Sequence, residues 1–360
     1  MRLAQIAPLA ERCPPLLYGG TERVVSYLTE ALVDLGHDVT LFASGDSVTS
    51  AELVPCSARA LRLDEDARDP LPHMAIMLDE VTRRAAEFDV LHFHIDLIHA
   101  PLVRAYNERT VTTLHGRLDL PDLGRFYDHF QDLAVVSISD SQRAPVPRAN
   151  WIGTVHHGLP RDLLRFSARD EGYLAFIGRI SPEKRPDRAI EIAARSGLPL
   201  KIAAKVDKAD AAYWRDVIEP MVRAHANVEY IGEIGEAQKA SFLGGARALL
   251  FPIDWEEPFG LVMIEAMACG TPVIAFRRGS VAEVVDDGLS GCIVDDVDGA
   301  VRALCQLHTL DRRRVRAVFD ERFTVERMAH DYLELYRARV APTRHRPVAQ
   351  PLLTAVSLRA

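Results

Sequence analysis

Short apolar runs alternate with stretches of helical periodicity along this chain, and the alternation starts over about halfway. Such β-α alternation builds a parallel sheet covered on both faces by helices. In the first series Leu3 to Ala7 reads as the opening strand. A Gly19-Gly20 turn follows, and Val24, Val25, Leu28, Ala31, Leu32 and Leu35 recur at helical spacing over Thr21 to Leu35, with Gly36 as the cap. Val39 to Ala43, Val90 to Phe93, Thr110 to Leu114 and Val135 to Ser139 supply further strands. The polar stretch Arg161 to Glu171 interrupts the pattern. It restarts at Tyr173 to Gly178 and continues through Leu200 to Ala203, Val228 to Ile231, Ala248 to Pro252, Pro272 to Ala275 and Gly291 to Val294. Two such series predict an α/β protein of two facing lobes, each a doubly wound parallel sheet, the first over residues 1–165 and the second over 166–323. Ligands of open parallel sheets bind beyond the carboxyl ends of the strands, so those ends mark the rim to search.

Bulk properties narrow the partners. At 360 residues the chain is long for a single core, which agrees with two domains. A composition 48% hydrophobic and 26% charged, with no apolar run near ~18 residues, predicts no membrane-spanning helix. The start Met1-Arg2-Leu3-Ala4-Gln5-Ile6-Ala7-Pro8 is too short for a signal peptide, so a cytoplasmic location is expected. Five scattered cysteines (13, 56, 269, 292 and 305) without Cys-x-x-Cys spacing predict buried thiols, with neither a disulfide framework nor a zinc site. A formal charge of −8 gives no electrostatic reason for a nucleic-acid partner. Residues 341–360 hold prolines and no acid and read as a frayed tail.

Glu257 and Glu265 bracket Pro258-Phe259-Gly260-Leu261-Val262-Met263-Ile264, the turn and first residues of a predicted helix. Free amides at a helix N-terminus favour phosphate. Residues eight apart in a helix are rotated by only ~80° and separated by ~12 Å, so the two acids can reach opposite ends of one ligand. That arrangement suits a nucleoside diphosphate sugar. The segment Pro252 to Ser280, with its Ala-Cys-Gly-Thr-Pro-Val-Ile-Ala run, resembles the retaining glycosyltransferases of the GT4-type family, which have the two-lobed GT-B fold. The likeness extends over residues 1 to 340, and it implies that the helical stretch 324–340 crosses back to complete the first lobe.

Other motifs fall on the same rim. Gly178-Arg179-Ile180-Ser181-Pro182-Glu183-Lys184-Arg185-Pro186 joins a strand to a helix, and Arg179 and Lys184 can stabilise the charge of a departing diphosphate. It looks like the family's phosphate-binding loop; the alternative is a surface turn with solvated charges. Gly19-Gly20-Thr21-Glu22 lets bare backbone approach a phosphate, or is a plain turn. His115, after Thr113-Leu114 and before Gly116, resembles the family histidine that contacts the transferred sugar; a satisfied core histidine is its alternative. His92, His94 and His99 invite a metal site, since His92 and His94 share a strand face with Asp96 close behind, but no third ligand can be assigned at readable spacing, so no metal is assigned. His156-His157 reads as a hinge turn, and Asp140, Ser141 and Arg143 as cleft or cap residues. Tyr230-Ile231-Gly232-Glu233-Ile234 resembles the family loop whose backbone reads the nucleobase, a hydrophobic strand ending in a turn being the alternative, and Gly279-Ser280-Val281-Ala282-Glu283 resembles the helix start after the acidic motif.

The resemblance and the residues together imply a retaining hexosyltransferase whose co-substrate is a nucleoside diphosphate sugar, UDP-glucose before GDP-mannose, with no cofactor and no metal. Glu265 is assigned to ribose hydroxyls, Arg179 and Lys184 to the diphosphate, and the Phe259, Gly260, Leu261 and Val262 backbone to sugar and phosphate. Glu257 is assigned to sugar hydroxyls, with His115, Gly19 and Gly20 closing the site and Ile231 beside the base. The acceptor is a hydroxyl compound of unassigned identity. A nucleotide-sugar epimerase on the same fold is the alternative, followed by a noncatalytic nucleotide-sugar-binding protein.

Overall fold

The computed structural model describes residues 1–16 and 19–340 and contains two parallel sheets. The tail expected over residues 341–360 lies outside the described residues. In the first sheet β1 (Arg2–Ile6), β2 (Asp38–Ser44), β3 (Glu52–Ser57), β4 (Val90–Phe93), β5 (Thr110–Thr113), β6 (Val135–Ser137) and β7 (Trp151–Thr154) take the order β3-β2-β1-β4-β5-β6-β7. In the second, β8 (Tyr173–Arg179), β9 (Leu200–Lys205), β10 (Val228–Gly232), β11 (Ala246–Phe251), β12 (Val273–Phe276) and β13 (Gly291–Val294) take the order β10-β9-β8-β11-β12-β13. Strand order reverses beside β1 in one sheet and beside β8 in the other. Such reversals open a crevice at the carboxyl ends of the strands.

Helices on both faces bury β1 completely from Leu3 to Ile6, which is why it reads as a nearly continuous apolar run. Gln5 breaks that run and is fully buried. The helix Val325–Val340 lays Met328, Ala329, Tyr332, Leu333 and Tyr336 onto a core that includes Leu3, Val90, Val111 and Val136 of the first sheet. The chain therefore passes between the lobes twice, and the two passages are bonded together. Leu159 N–H donates to Phe323 O at 2.9 Å and Val325 N–H to Leu159 O at 2.9 Å. Next to that bridge a Cβ on Gly158 would stand 2.2 Å from Thr324 O, so a glycine is needed for the two strands of chain to touch.

Two strands escape the sequence reading, and both lie at the edges of the first sheet. β3 is half-exposed along most of its length and contains Pro55, which an edge strand tolerates. β7 is half-buried throughout and has no apolar run to reveal it. The five thiols also differ from expectation: Cys13, Cys56 and Cys269 are buried, Cys292 is half-buried and Cys305 is exposed. Cys305 belongs to the amphipathic helix Val297–Gln306, whose buried positions are Ala300, Ala303 and Leu304. No helix among the described residues is long and apolar enough to cross a membrane.

Candidate functional site

A cleft of about 650 Å³ runs between the lobes where the two strand reversals face each other. Its first-lobe wall includes Gly19, Gly20, Glu22, His115 and His157, and its second-lobe wall includes Arg179, Lys184, Lys239, Glu257 and Glu265. Phe259, Gly260, Leu261 and Val262 line it as well, so the structure brings both acids, both cations and the helix start to one place. Ile231 is not in the wall; it is exposed near the end of β10, and Glu233 and Ile234, just past that strand, occupy the cleft edge.

The turn before the helix Leu261–Ala268 is shaped by its glycines. Gly260 adopts a left-handed conformation at φ 81°, and a Cβ there would meet Met263 Cε at 2.8 Å and Phe251 Cζ at 3.1 Å. Leu261 and Val262, whose amides come too early in that helix for an i→i−4 partner, line the cleft, while Met263 N–H turns back to Gly260 O at 3.0 Å. Behind the turn, Gly279 runs so close to Glu257 that a Cβ would lie 2.4 Å from its N and O. Ser280 N–H donates to Glu257 O at 3.0 Å, and its hydroxyl to Phe259 O at 2.7 Å. From the other lobe Ser139 Oγ donates to Pro258 O at 2.7 Å. The Gly279-Ser280 segment is thus a brace under the acidic turn.

Charges in the second wall are paired. Lys184 Nζ contacts Glu257 Oε2, which also accepts from Trp255 Nε1 at 2.9 Å, and the ammonium sits 4.8 Å above the Trp255 ring. Arg185, next along, holds a left-handed φ of 52° that a side chain disfavours. Asp187 and Asp254 pin its guanidinium at 2.8 and 2.9 Å, which fixes the bend that aims Lys184 inward. Arg179 lines the cleft 3.5 to 3.9 Å from Asp210, Asp207 and Glu183, which pair with its guanidinium, and its buried Nε makes no hydrogen bond. Glu265 is 1% exposed; Lys239 Nζ donates to its Oε1 at 2.6 Å, while its Oε2 has no hydrogen-bond partner. A buried carboxylate oxygen left so is a ready acceptor for a ligand hydroxyl. Lys239 went unread in the sequence because it lies on the separate helix Glu236–Gly244 with no motif around it.

The first wall is built differently. His94 Nδ1 and His115 Nε2 are 2.9 Å apart, and the His115 ring stacks on His157 with centroids 5.3 Å apart. Burial pushes the His115 pKa down to about 3, and those of His92, His94 and His157 well below the ordinary histidine value, so all four are neutral near pH 7. His92 bonds Tyr336 OH and Thr113 Oγ1, at 2.6 and 2.7 Å, which occupies both its nitrogens. Among the described residues no group of three potential metal ligands gathers. Glu22 is buried at the Gly20 helix start, where desolvation raises its pKa and the amides of Glu22 and Glu11 draw it down again. His157, read from sequence as a hinge turn, reaches the cleft because the Leu159 bridge holds the hinge beside it.

Several contacts join the walls. Glu283 accepts from the Asp140 and Ser141 amides at 2.7 Å each, and Arg23 pairs with Glu236. Arg117 lies 5.8 Å over the Trp255 ring, and Gly20 comes near Leu261.

Comparison with known proteins places the same two halves. The family model Glycosyltransferase Family 4 matches residues 18–173, and Glycosyl transferases group 1 matches residues 165–318. A glycogen synthase of Mycobacterium tuberculosis is 26% identical over 409 aligned positions, covering 94% of this chain and 97% of its own. A phosphatidyl-myo-inositol mannosyltransferase of Mycolicibacterium smegmatis is 25% identical and covers 87% of this chain and 86% of its own. Among solved structures, sucrose-phosphate synthase from Thermosynechococcus elongatus has a TM-score of 0.76 at 18% identity, covering 94% of this chain and 98% of that one.

Proposed function

This chain belongs to the GT4-type glycosyltransferases of the GT-B fold, and we propose that it transfers a hexosyl unit, with retention, from a nucleoside diphosphate sugar to an acceptor hydroxyl. One observation carries the reading: a single cleft holds two cations, a helix amino end and two buried carboxylates, each where one part of such a donor needs it. Lys184 and Arg179 take the diphosphate, together with the amides at the Leu261 helix start. Glu265, through its unpaired Oε2, takes ribose hydroxyls, and Glu257 takes sugar hydroxyls. His115 and the Gly19-Gly20 backbone close the site from the first lobe and exclude water, which suppresses hydrolysis.

Loss of the anomeric C–O bond puts negative charge on the diphosphate, and fixed cations stabilise that charge without reorganising. Glu257 is engaged by Lys184 and Trp255, which makes it a poor nucleophile, so a covalent double displacement is not favoured. Attack instead comes from the face the diphosphate leaves, on an oxocarbenium-like sugar. The acceptor hydroxyl forms the new C–O bond and its proton passes to the departing phosphate oxygen. With two cations in place the step asks for no divalent ion.

UDP-glucose is the first donor to test and GDP-mannose the second, the latter in view of the mannosyltransferase relative. A thermal-shift screen of nucleotide sugars identifies the donor, since a ligand that binds the folded state raises its melting point. NMR of the product formed with saccharide and small-molecule acceptors should then show the donor's anomeric configuration kept. Inversion would overturn the mechanism, and rapid isomerisation of donor alone would make the protein an epimerase.

A further inference from the structure

A polar residue in the middle of a buried central strand needs a reason, and Gln5 of β1 has one. It links a chain of hydrogen bonds that runs from the cleft to the last helix. His115 Nε2 meets His94 Nδ1 at 2.9 Å, and His94 Nε2 meets Gln5 Oε1 at 2.9 Å. Gln5 Nε2 donates to Tyr336 OH at 3.3 Å, Tyr336 OH meets His92 Nδ1 at 2.6 Å, and His92 Nε2 meets Thr113 Oγ1 at 2.7 Å.

Each imidazole in such a chain has one donor and one acceptor nitrogen, so a single group of fixed polarity orients all of them. Tyr336 is that group. Its oxygen takes the N–H of Gln5 Nε2 at 3.3 Å, which leaves the phenol proton for His92 Nδ1, 2.6 Å away. The phenol oxygen can then only accept from Gln5, which turns the Gln5 amide nitrogen toward Tyr336 and its carbonyl toward His94. His94 must donate from Nε2 and accept at Nδ1, and His115 must therefore carry its proton on Nε2. His115 lines the cleft, and its Nδ1 is buried with no hydrogen-bond partner among the described residues.

We propose that Gln5 and Tyr336 are positioning residues that act through His94 to hold His115 as the Nε2–H tautomer, so that its Nδ1 meets a substrate hydroxyl only as an acceptor. The inference rests on the glycosyl-transfer reading for the hydroxyl, and on the hydrogen-bond chain alone for the tautomer. It assigns function to two residues remote from the reacting atoms, one in the first strand and one in the final helix, and it gives a reason for that helix to return to the first lobe beyond covering apolar surface.

The test is long-range proton–nitrogen NMR of the histidine-labelled full chain, with the His115 resonances assigned from His115→Gln. The expected spectrum shows one tautomer, protonated at Nε2. Gln5→Leu leaves His94 no acceptor, and because an orphaned buried N–H is worse tolerated than an orphaned lone pair, the His94 proton should move to Nδ1. His115 then inverts to Nδ1–H. With UDP-glucose, or whichever panel member is turned over, the donor KM should rise about tenfold as an acceptor becomes a donor facing a hydroxyl, with kcat little changed. A merely structural role would lower the active fraction and leave KM alone. Tyr336→Phe keeps the packing and serves if Gln5→Leu does not fold; it should give mixed tautomers at His115 and a smaller KM rise. A wild-type His115 protonated at Nδ1, or spectra unchanged in both variants, overturns the proposal. The NMR arm needs no substrate, so it decides this point even where absence of any turnover sinks the glycosyl-transfer reading.

Discussion

The two walls of the cleft keep polar groups out of water by opposite means. In the first lobe His92, His94 and His115 are neutral and bonded among themselves, to Gln5, to Thr113 and to Tyr336 of the last helix, whose Tyr332 bonds Thr113 in turn. In the second, ammonium and carboxylate groups pair, Lys184 with Glu257 and Lys239 with Glu265. A neutral network fixes geometry and directs single hydrogen bonds. An ionic pair holds charge in reserve, and in the proposed reaction a diphosphate competes with Glu257 for Lys184 as the bond breaks. Acid should therefore break the first wall and leave the second, whereas loss of a lysine should do the reverse.

The largest effect expected is on stability in acid. His92, His94, His99, His115 and His157 all have folded pKa values lowered by burial, that of His99 to about 3 like that of His115. Their unfolded values lie near 6.5, so between there and about pH 3 the unfolded chain binds protons that the native chain refuses. Stability is complete above pH 6.5 and falls as pH drops, by up to about 1.4 kcal/mol per pH unit for each histidine. Glu22 works against this, since a carboxylate with a raised folded pKa contributes stability at low pH that is lost as pH rises through that value. Five histidines outweigh it. Hydrogen exchange read peptide by peptide from pH 7 to pH 5 should show first-lobe strands β4 and β5 losing protection before β8 and β11; simultaneous loss would erase the contrast between walls.

Next in size is Lys184→Ala. Removing one fixed cation from the site of developing charge should lower kcat about 10²–10³-fold, with donor binding weakened as well. Steady-state kinetics on the identified donor measure this, and unchanged turnover would remove Lys184 from the mechanism. Thermal stability should change less, because Glu257 keeps its bond from Trp255 and the Ser280 brace.

The walls also differ in how far the sequence revealed them. The second was legible because its function is local: Glu257, the glycine turn and Glu265 lie within nine residues, and Arg179 and Lys184 share one loop. Strands at the centre of each sheet were legible for the same kind of reason, since burial on both faces leaves an apolar run that composition alone exposes. The first wall was legible only at its surface, in Gly19-Gly20-Thr21-Glu22 and His115, and not in the network behind them. Gln5, His94, His115 and Tyr336 are separated by up to 331 positions, and nothing in the local pattern of any one of them announces the others. His94 appeared only as one of three histidines, with His92 and His99, weighed for metal. Lys239 and the edge strands β3 and β7 escaped for lack of a motif or an apolar run, and within the segment Tyr230 to Ile234 it is Glu233 and Ile234, past the end of β10, that reach the cleft rather than Ile231.

The seam between the walls should respond more weakly. Burial alone would raise the Glu283 pKa, but the bonds from His156 and from the Asp140 and Ser141 amides outweigh it and hold the carboxyl below its usual range. The stabilisation this implies is present above the unfolded value and is lost as pH falls through the folded one. In Glu283→Gln one of two charge-assisted acceptors becomes an amide NH2, itself a donor facing an N–H, so about 1.5 kcal/mol of stability should disappear. Calorimetry at pH 7 reads it, and the loss should vanish at a pH low enough to protonate the wild-type carboxyl. An equal loss at all pH values would mean that shape, not charge, holds the seam.

Arg117→Ala should do least. Its guanidinium lies 5.8 Å from the Trp255 ring, near the outer limit for a cation–π contact, and it is also bonded to Asp119 at 2.6 and 2.7 Å. An exposed contact of this kind contributes about 0.5 kcal/mol, or about twofold in an affinity. Because Trp255 carries the bond to Glu257, the twofold effect should appear in the donor KM and leave kcat unchanged. Arg117→Lys should recover part of it, since an ammonium can still sit over the ring. If kcat fell instead, Arg117 would have to act on the transition state from the first wall, and the division between a neutral wall that positions and a charged wall that stabilises would no longer hold.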